Sequence, residues 1–190
     1  GEYSCTNSEH RVTGDCVRIA ISGKSGCGNT TVSQLVADEL GYPMINFTFR
    51  TLSEEKGIEF WTFCKMAEES DEFDLEVDRR QVEMALSQPD CVLGSRLAIW
   101  MLKQADLKVY LSASSLERAR RIMQREGGTL EERLEQTRRR DANDSARYKR
   151  LYNIDNSDTS VADLVIDTSE LGPEDVARII IKEAKAREIR

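Results

Sequence analysis

The sequence predicts an α/β fold in which helices cover both faces of a five-stranded parallel sheet. Short apolar runs typical of buried strands alternate along the chain with longer segments of helical periodicity. The segments between these runs are long enough to hold the crossover helices that parallel pairing requires. With 190 residues, 39% of them hydrophobic, the chain can bury the core of one such domain.

Five apolar runs bounded by turn residues are the predicted strands. They cover residues 17–21, 43–47, 91–93, 107–111 and 164–166. In the first run Val17, Ile19 and Ile21 stand two positions apart, which is the period of a strand.

Helices are predicted where apolar residues recur three or four positions apart. Four of them cover residues 30–40, 116–124, 130–151 and 174–187. Gly41 stands where a helix C-cap belongs, and Pro173 stands in the first turn of the last helix. Residues 52–87 hold two helical stripes and no clear strand, so we predict a helical insertion over residues 48–88.

Residues 1–16 are polar and lack periodicity, which predicts a flexible N-terminal extension to a single domain of residues 17–190. The formal charge of −7 argues against a nucleic-acid partner, because such affinity comes mainly from neutralising phosphates. No apolar run reaches the roughly 20 residues of a membrane span, and no signal peptide is visible. We therefore expect a cytoplasmic protein without a membrane partner.

The cysteines and the single histidine exclude two classes of site. The five cysteines are scattered and form no Cys-x-x-Cys pair, which argues against structural zinc and fits a reducing compartment. A histidine-based catalytic triad would have only His10, in the predicted extension.

A glycine-rich segment between the first strand and the first helix is the strongest functional signal. We call residues 23–31 the phosphate loop; they are Gly23, Lys24, Ser25, Gly26, Cys27, Gly28, Asn29, Thr30 and Thr31. Glycines let successive backbone N–H groups turn inward around phosphate oxygens, and the helix N-terminus adds partial positive charge. In the template Gly-x-x-x-x-Gly-Lys-[Ser/Thr], Thr30 takes the position whose hydroxyl holds Mg²⁺.

Asn29 departs from this template because it stands where lysine is expected. An asparagine donates hydrogen bonds but carries no charge. The loss of one electrostatic donor at a transition state can cost about 3 kcal/mol. Lys24 lies in the same loop and offers a partial replacement.

Basic residues recur on the two helices before the last strand. Arg140, Asp144 and Arg147 are spaced i, i+4 and i+7, on one helix face, and Asp141 follows Arg140. Several convergent arginines would suit the negative charge of a migrating phosphoryl group. We predict a lid over residues 125–147, with Gly127-Gly128 between the helices. Other arginines are expected on solvated faces: Arg118, Arg133, Arg138 and Arg139.

A third group of basic residues lies in and beside the insertion. Arg50 follows the second strand and Arg96 follows the third, at the sheet edge where ligands bind in open parallel sheets. Asp78 and Arg79 lie within the insertion, where structural ion pairing and substrate binding are equally plausible.

Together these motifs resemble the cytidylate kinases, and in particular their shorter, archaeal-type members. The resemblance runs from about residue 17 to the C-terminus. It is carried by the phosphate loop, by Asp78-Arg79-Arg80-Gln81, by Arg96-Leu97-Ala98 with Trp100-Met101, by Arg140-Asp141-x-x-Asp144-x-x-Arg147, and by Tyr148, Tyr152, Ile154 and Asp155.

The resemblance implies a P-loop NTPase-type core with a monophosphate-binding insertion and a short lid. It implies transfer of the γ-phosphoryl of ATP to CMP or dCMP, with Mg²⁺. The phosphate loop would bind ATP, Thr30 the metal, and Arg140, Asp144 and Arg147 would act in catalysis. The acceptor would be held by Arg50, Asp78, Arg79, Arg96 and Asp141.

Two alternatives stay open at this point. The first is a nucleotide-binding protein that has lost catalysis, for which Asn29 is the best argument. The second is a P-loop kinase for another small acceptor, such as UMP. We expect a monomer from size alone, and the sequence does not decide between CMP, dCMP and UMP.

Overall fold

The computed structural model describes residues 17–188 and confirms the predicted fold class. Its five-stranded parallel sheet has the order β2-β3-β1-β4-β5. The strands are β1 Arg18–Gly23, β2 Met44–Ile45, β3 Cys91–Gly94, β4 Leu107–Ser112 and β5 Leu164–Asp167. Residues 1–16, including the predicted extension and His10, lie outside the described residues.

The helices follow the predicted positions with two short additions. They are α1 Asn29–Leu40, α2 Phe49–Glu55, α3 Phe60–Glu69, α4 Glu72–Leu86, α5 Ala98–Met101, α6 Ser115–Glu126, α7 Leu130–Tyr152 and α8 Pro173–Glu188. The short α2 and α5 were not predicted, since seven and four residues give too little periodicity to recognise. Along the described chain, no helix combines the length and the apolar character of a membrane span.

The central strand β1 divides the core into two layers. Ile19 and Ile21 pack in the cluster that α1 and α8 cover, whereas Ala20 packs in the cluster beneath α4 and α5. All three side chains are fully buried. The alternation along β1 thus places helices on both faces of the sheet, as a strand with two buried faces requires.

The insertion has a small core of its own. Phe47, Leu52, Phe63 and Val77 form a separate buried cluster, and the Phe49 and Phe63 ring centroids lie 4.5 Å apart. Strand β2 therefore ends at Ile45, earlier than the apolar run 43–47 predicts, because Phe47 belongs to the insertion and not to the sheet. Burial in this cluster fixes the insertion beside the carboxyl ends of the strands.

Candidate functional site

A cleft of about 700 Å³ lies between the phosphate loop, the insertion and α7. The loop lines one wall of the cleft. The other lining residues are Thr48, Phe49, Asp74, Val77, Asp78, Gln81, Gly94, Ser95, Arg96, Leu97, Arg125, Arg140, Arg147 and Tyr148. The cleft opens where β1 and β3 end, which is the usual ligand position in an open parallel sheet.

The phosphate loop has the geometry of an anion cradle. Gly26 and Gly28 have φ values of 80° and 88°, in the left-handed region that favours glycine. A Cβ added at Gly26 would lie 2.9 Å from the Arg118 carbonyl oxygen, so the site excludes a side chain as well. Among the described residues, no acceptor receives the N–H groups of residues 25, 26, 28, 30 and 31, which leaves them for phosphate oxygens, whereas the Asn29 N–H is directed at the Cys27 thiol.

The Asn29 side chain is engaged in hydrogen bonds within the fold. Its Nδ2 donates to the carbonyl oxygen of Ile21 at 2.8 Å, and its Oδ1 accepts from the Ser33 hydroxyl at 2.7 Å. Both ends of the amide are therefore occupied by β1 and α1. Lys24 is the only cationic side chain of the loop.

Arg118 braces the loop from behind, and the prediction that it lies on a solvated face was wrong. Its side chain is buried, with 4% exposed. It donates to the carbonyl oxygens of Ala113 and Ser25 at 3.1 Å each. Its two terminal nitrogens also donate to the Asp141 carboxylate at 3.0 and 2.6 Å. Arg118 thus joins the phosphate loop, α6 and α7 in one buried contact.

Three arginines face the opposite side of the cleft. Arg96, Arg140 and Arg147 all line it, and Asp144 lies between two of them. The Asp144 carboxylate is 3.3 Å from Arg96 and 3.4 Å from Arg147, and it is largely buried. Both arginines also contact the Tyr148 hydroxyl. Each guanidinium carries five N–H groups, so these contacts leave N–H groups for another acceptor.

Arg140 has no acidic partner within ion-pair distance among residues 17–188. Desolvation, and after it the neighbouring Arg96 charge, lower the pKa of the Arg140 guanidinium. An arginine stays protonated despite such a shift, so the arrangement favours a bound anion.

Tyr148 packs against the arginines on this side of the cleft. It is buried, and its ring centroid lies 5.3 Å from the Arg147 Cζ. Burial, and then the Asp144 carboxylate, raise the pKa of the Tyr148 phenol. Tyr148 is therefore a neutral aromatic support for Arg147.

One face of α4 forms the third wall. Asp74, Val77, Asp78 and Gln81 are spaced at helical intervals along the cleft. The Tyr152 hydroxyl donates to Asp78 at 2.6 Å. Burial raises the pKa of both Asp74 and Asp78. This wall offers hydrogen-bond acceptors, in contrast to the donors on α7.

The structure does not bring every predicted substrate residue into the cleft. Arg50 stacks over the Phe60 ring at 3.8 Å, and Arg79 makes an exposed pair with Glu83. Asp141 is occupied by Arg118. Their spacing in sequence is compatible with a site, but tertiary contacts direct these side chains elsewhere.

The structure also adds residues to which the sequence assigned no role. Asp74, Gln81, Arg125 and Tyr148 line the cleft, as does Phe49. The signal for Asp74 and Gln81 was available, because they lie one turn or less from Asp78 on the same helix face. No local pattern distinguishes the contact of Phe49 or Tyr148 with the cleft from ordinary core packing.

The Cytidylate kinase-like family matches residues 18–170 of the chain. This protein belongs to that family. The match includes the phosphate loop, the insertion and the whole of α7. The predicted resemblance is thereby confirmed.

Relatives of the family are similar over most of the chain. A protein named Cytidylate kinase 2 from Borrelia garinii subsp. bavariensis is 42% identical over 178 residues, 92% of this chain and 99% of its own. A protein named Cytidylate kinase from Pyrococcus furiosus is 41% identical over 167 residues, 87% of this chain and 86% of its own.

Solved structures support the family's fold. An uncharacterized protein from Eubacterium ventriosum superposes with a TM-score of 0.67 at 18% identity, covering 90% of this chain and 99% of that one. Shikimate kinase from Acinetobacter baumannii, in complex with shikimate, gives a TM-score of 0.62 at 19% identity, covering 92% and 96%. At these identities the likenesses establish the fold alone.

Proposed function

We propose that the protein transfers the γ-phosphoryl group of ATP to CMP or dCMP, giving ADP and a cytidine diphosphate. One observation carries this proposal: the cleft has an anion cradle on one side and three convergent arginines on the other. Two phosphate-bearing substrates can therefore meet across it. Membership of the Cytidylate kinase-like family supports a cytidine nucleotide as the acceptor.

In this proposal the phosphate loop binds the ATP phosphates through its backbone. The free N–H groups of residues 25, 26, 28, 30 and 31 fit the β- and γ-phosphate oxygens, and the N-terminus of α1 adds partial positive charge. Lys24 supplies the loop's positive side chain. Arg118 and Asp141 hold the loop in shape, so their role is in positioning.

The residues present also fit Mg²⁺ in part. Thr30 is exposed in the first turn of α1 and offers its hydroxyl. No group of three or more acidic, cysteine or histidine side chains within residues 17–188 could hold an ion by itself. Thr30 would thus be the protein ligand, beside phosphate oxygens and water, in keeping with the reluctance of Mg²⁺ to dehydrate. The metal would neutralise charge on the ATP phosphates.

Catalysis on this view is positioning and charge neutralisation. The acceptor phosphate oxygen is already a nucleophile at neutral pH, so no general base is needed. Arg140 and Arg147 stabilise the migrating phosphoryl group, Arg96 holds the acceptor phosphate, and Asp144 keeps Arg96 and Arg147 in place.

Closure of the insertion and of the lid would exclude water and protect ATP from hydrolysis. Gly127 and Gly128, both with positive φ, form the turn between α6 and α7 at the base of this lid. Arg50 would join the acceptor phosphate only on leaving the Phe60 ring. Arg79 keeps its predicted nucleoside contact only on leaving Glu83.

The test is product formation from ATP, Mg²⁺ and each of CMP, dCMP, UMP, AMP and GMP. We expect ADP and a nucleoside diphosphate, with CMP or dCMP as the best acceptor. If UMP were the best acceptor, the proposed reaction would stand with UMP in place of CMP or dCMP. Nucleotide binding by the folded protein without any transfer would overturn the proposal and favour a degenerate nucleotide-binding protein.

The cytoplasmic location and the monomeric state remain predictions. Light scattering coupled to gel filtration checks the second of these, with an expected mass near that of one chain.

A further inference from the structure

The orientation of the Gln81 side-chain amide is fixed by its partner. Nε2 of Gln81 donates to the backbone carbonyl oxygen of Phe47 at 2.8 Å. A carbonyl oxygen can only accept, so the amide cannot be turned with its own oxygen toward Phe47. The Gln81 Oε1 has no donor among the described residues, and Gln81 lines the cleft. The side chain thus brings a fixed acceptor to the cleft wall.

The charges divide the cleft into a phosphate end and a base end. Arg96, Arg140 and Arg147 form the cationic end, where a phosphate would bind. Gln81 and Val77 line the cleft from α4, and Thr48 and Phe49 line it from the start of α2, so that a ring and an aliphatic side chain offer apolar contact. A nucleoside whose phosphate occupies the arginines would place its flat base against this second group.

Helix α4 brings two acceptors to the base end. Gln81 contributes Oε1, and Asp78 contributes a carboxylate that already accepts from Tyr152. Cytosine carries an exocyclic amine where uracil carries a carbonyl oxygen. An acceptor with fixed orientation can accept a hydrogen bond from the cytosine amine. It repels the uracil carbonyl oxygen, because both oxygens are acceptors and neither can donate.

We propose that Gln81 is a specificity-determining residue, whose Oε1 accepts a hydrogen bond from the exocyclic amine of the acceptor base and so favours CMP over UMP. The inference rests on the proposed function, since it assumes that a nucleoside monophosphate occupies this cleft. The Phe47 carbonyl is the positioning group that keeps the oxygen turned toward the base.

The first experiment uses the intact wild-type protein and two acceptors. CMP is compared with 2-pyrimidinone ribonucleoside monophosphate, which differs only by lacking the exocyclic amine. We expect kcat/KM to be at least about tenfold higher for CMP, the value of one well-placed hydrogen bond. Equal values for the two acceptors would overturn the proposal without any variant.

The second experiment makes the same comparison in Gln81→Met, which keeps side-chain length and removes the acceptor. We expect the CMP advantage to shrink to within about twofold, chiefly through a lower kcat/KM for CMP. If Gln81 had a purely structural role, the substitution would lower kcat/KM for both acceptors by the same factor. An unchanged ratio of the two kcat/KM values would contradict the inference. Thermal denaturation establishes that the variant is folded.

Two further variants complete the design. Gln34→Met makes the same chemical change on the exposed face of α1, where Gln34 bonds Asp38, and must leave the ratio unchanged. Gln81→Glu keeps an acceptor and serves if Gln81→Met does not fold; it must retain a CMP advantage. Failure of the proposed function is distinct, because the wild type would then not phosphorylate CMP at all.

Discussion

Two aspartates on α7, one turn apart, pair with arginines in opposite ways. Asp141 receives both terminal nitrogens of Arg118, whose guanidinium also donates to two backbone carbonyls and is buried. Asp144 makes one longer contact to each of Arg96 and Arg147, whose side chains are about one-third exposed in the cleft. The same residue types therefore build a brace in one place and a binding surface in the other.

The difference lies in how many guanidinium N–H groups are already used. Arg118 has donors engaged on three sides, so it has little left for a ligand. Arg96 and Arg147 keep donors free at the edge of the cleft. A buried, fully partnered arginine stabilises the fold, and a partly partnered one is available for phosphate. Three substitutions test this distinction and a fourth tests the phosphate loop that Arg118 braces, from the largest expected effect to the smallest.

Arg118→Met should destabilise the fold by about 3–5 kcal/mol, because it leaves the Asp141 carboxylate and two carbonyls without their donor. Urea denaturation measures the loss. The matched control is Arg139→Met on the same pair of helices, where an exposed bridge to Glu135 is worth no more than about 0.5 kcal/mol. Equal losses of unfolding free energy in the two variants would show that the buried Arg118 contributes no more to stability than an exposed arginine.

Arg147→Met should lower kcat about 10³-fold, or about 4 kcal/mol, because an arginine on the migrating phosphoryl group is lost. The unfolding free energy should change by no more than about 1 kcal/mol, since the Asp144 contact is single and partly exposed. Steady-state kinetics with CMP and denaturation of the free protein check both. If Arg147→Met lowered the unfolding free energy as much as Arg118→Met, Arg147 would have a structural role like that of Arg118.

Asp144→Asn should lower kcat/KM by about 2 kcal/mol, roughly thirtyfold, because a neutral amide holds Arg96 and Arg147 less firmly than a carboxylate. The matched variant is Asp141→Asn, which should affect unfolding more than turnover. If Asp141→Asn lowered kcat/KM more than Asp144→Asn and left the unfolding free energy unchanged, the assignment of Asp141 to the brace and of Asp144 to the binding surface would be wrong.

Asn29→Lys should destabilise the protein by about 1–2 kcal/mol and should not raise kcat. The Asn29 amide connects the Ile21 carbonyl to the Ser33 hydroxyl, and a lysine would leave that carbonyl without its donor and could not accept from Ser33. Kinetics and denaturation on the same preparation test this. A tenfold or larger gain in kcat would indicate that the loop had lost a lysine that catalysis needs.

Much of the fold was predictable because its signals are local. The alternation of Val17, Ile19 and Ile21 predicted a strand, and the order of strands and helices along the chain predicted helices on both faces of the sheet; both core layers confirm this. The phosphate loop was recognised from glycine spacing between a strand and a helix. The elements that deviated, β2, α2 and α5, are short, and their limits depend on packing partners rather than on periodicity.

The sequence by itself determined the order of the elements, the position of the phosphate loop and the single face shared by Arg140, Asp144 and Arg147, because helix and strand periods fix which side chains are neighbours. Only the tertiary structure decided how the polar groups were paired. Arg118 finds the carbonyl of Ser25 93 residues away, and Gln81 finds that of Phe47 34 residues away. Such contacts depend on how segments distant in sequence pack together, so the periodicity of a single helix or strand cannot predict them.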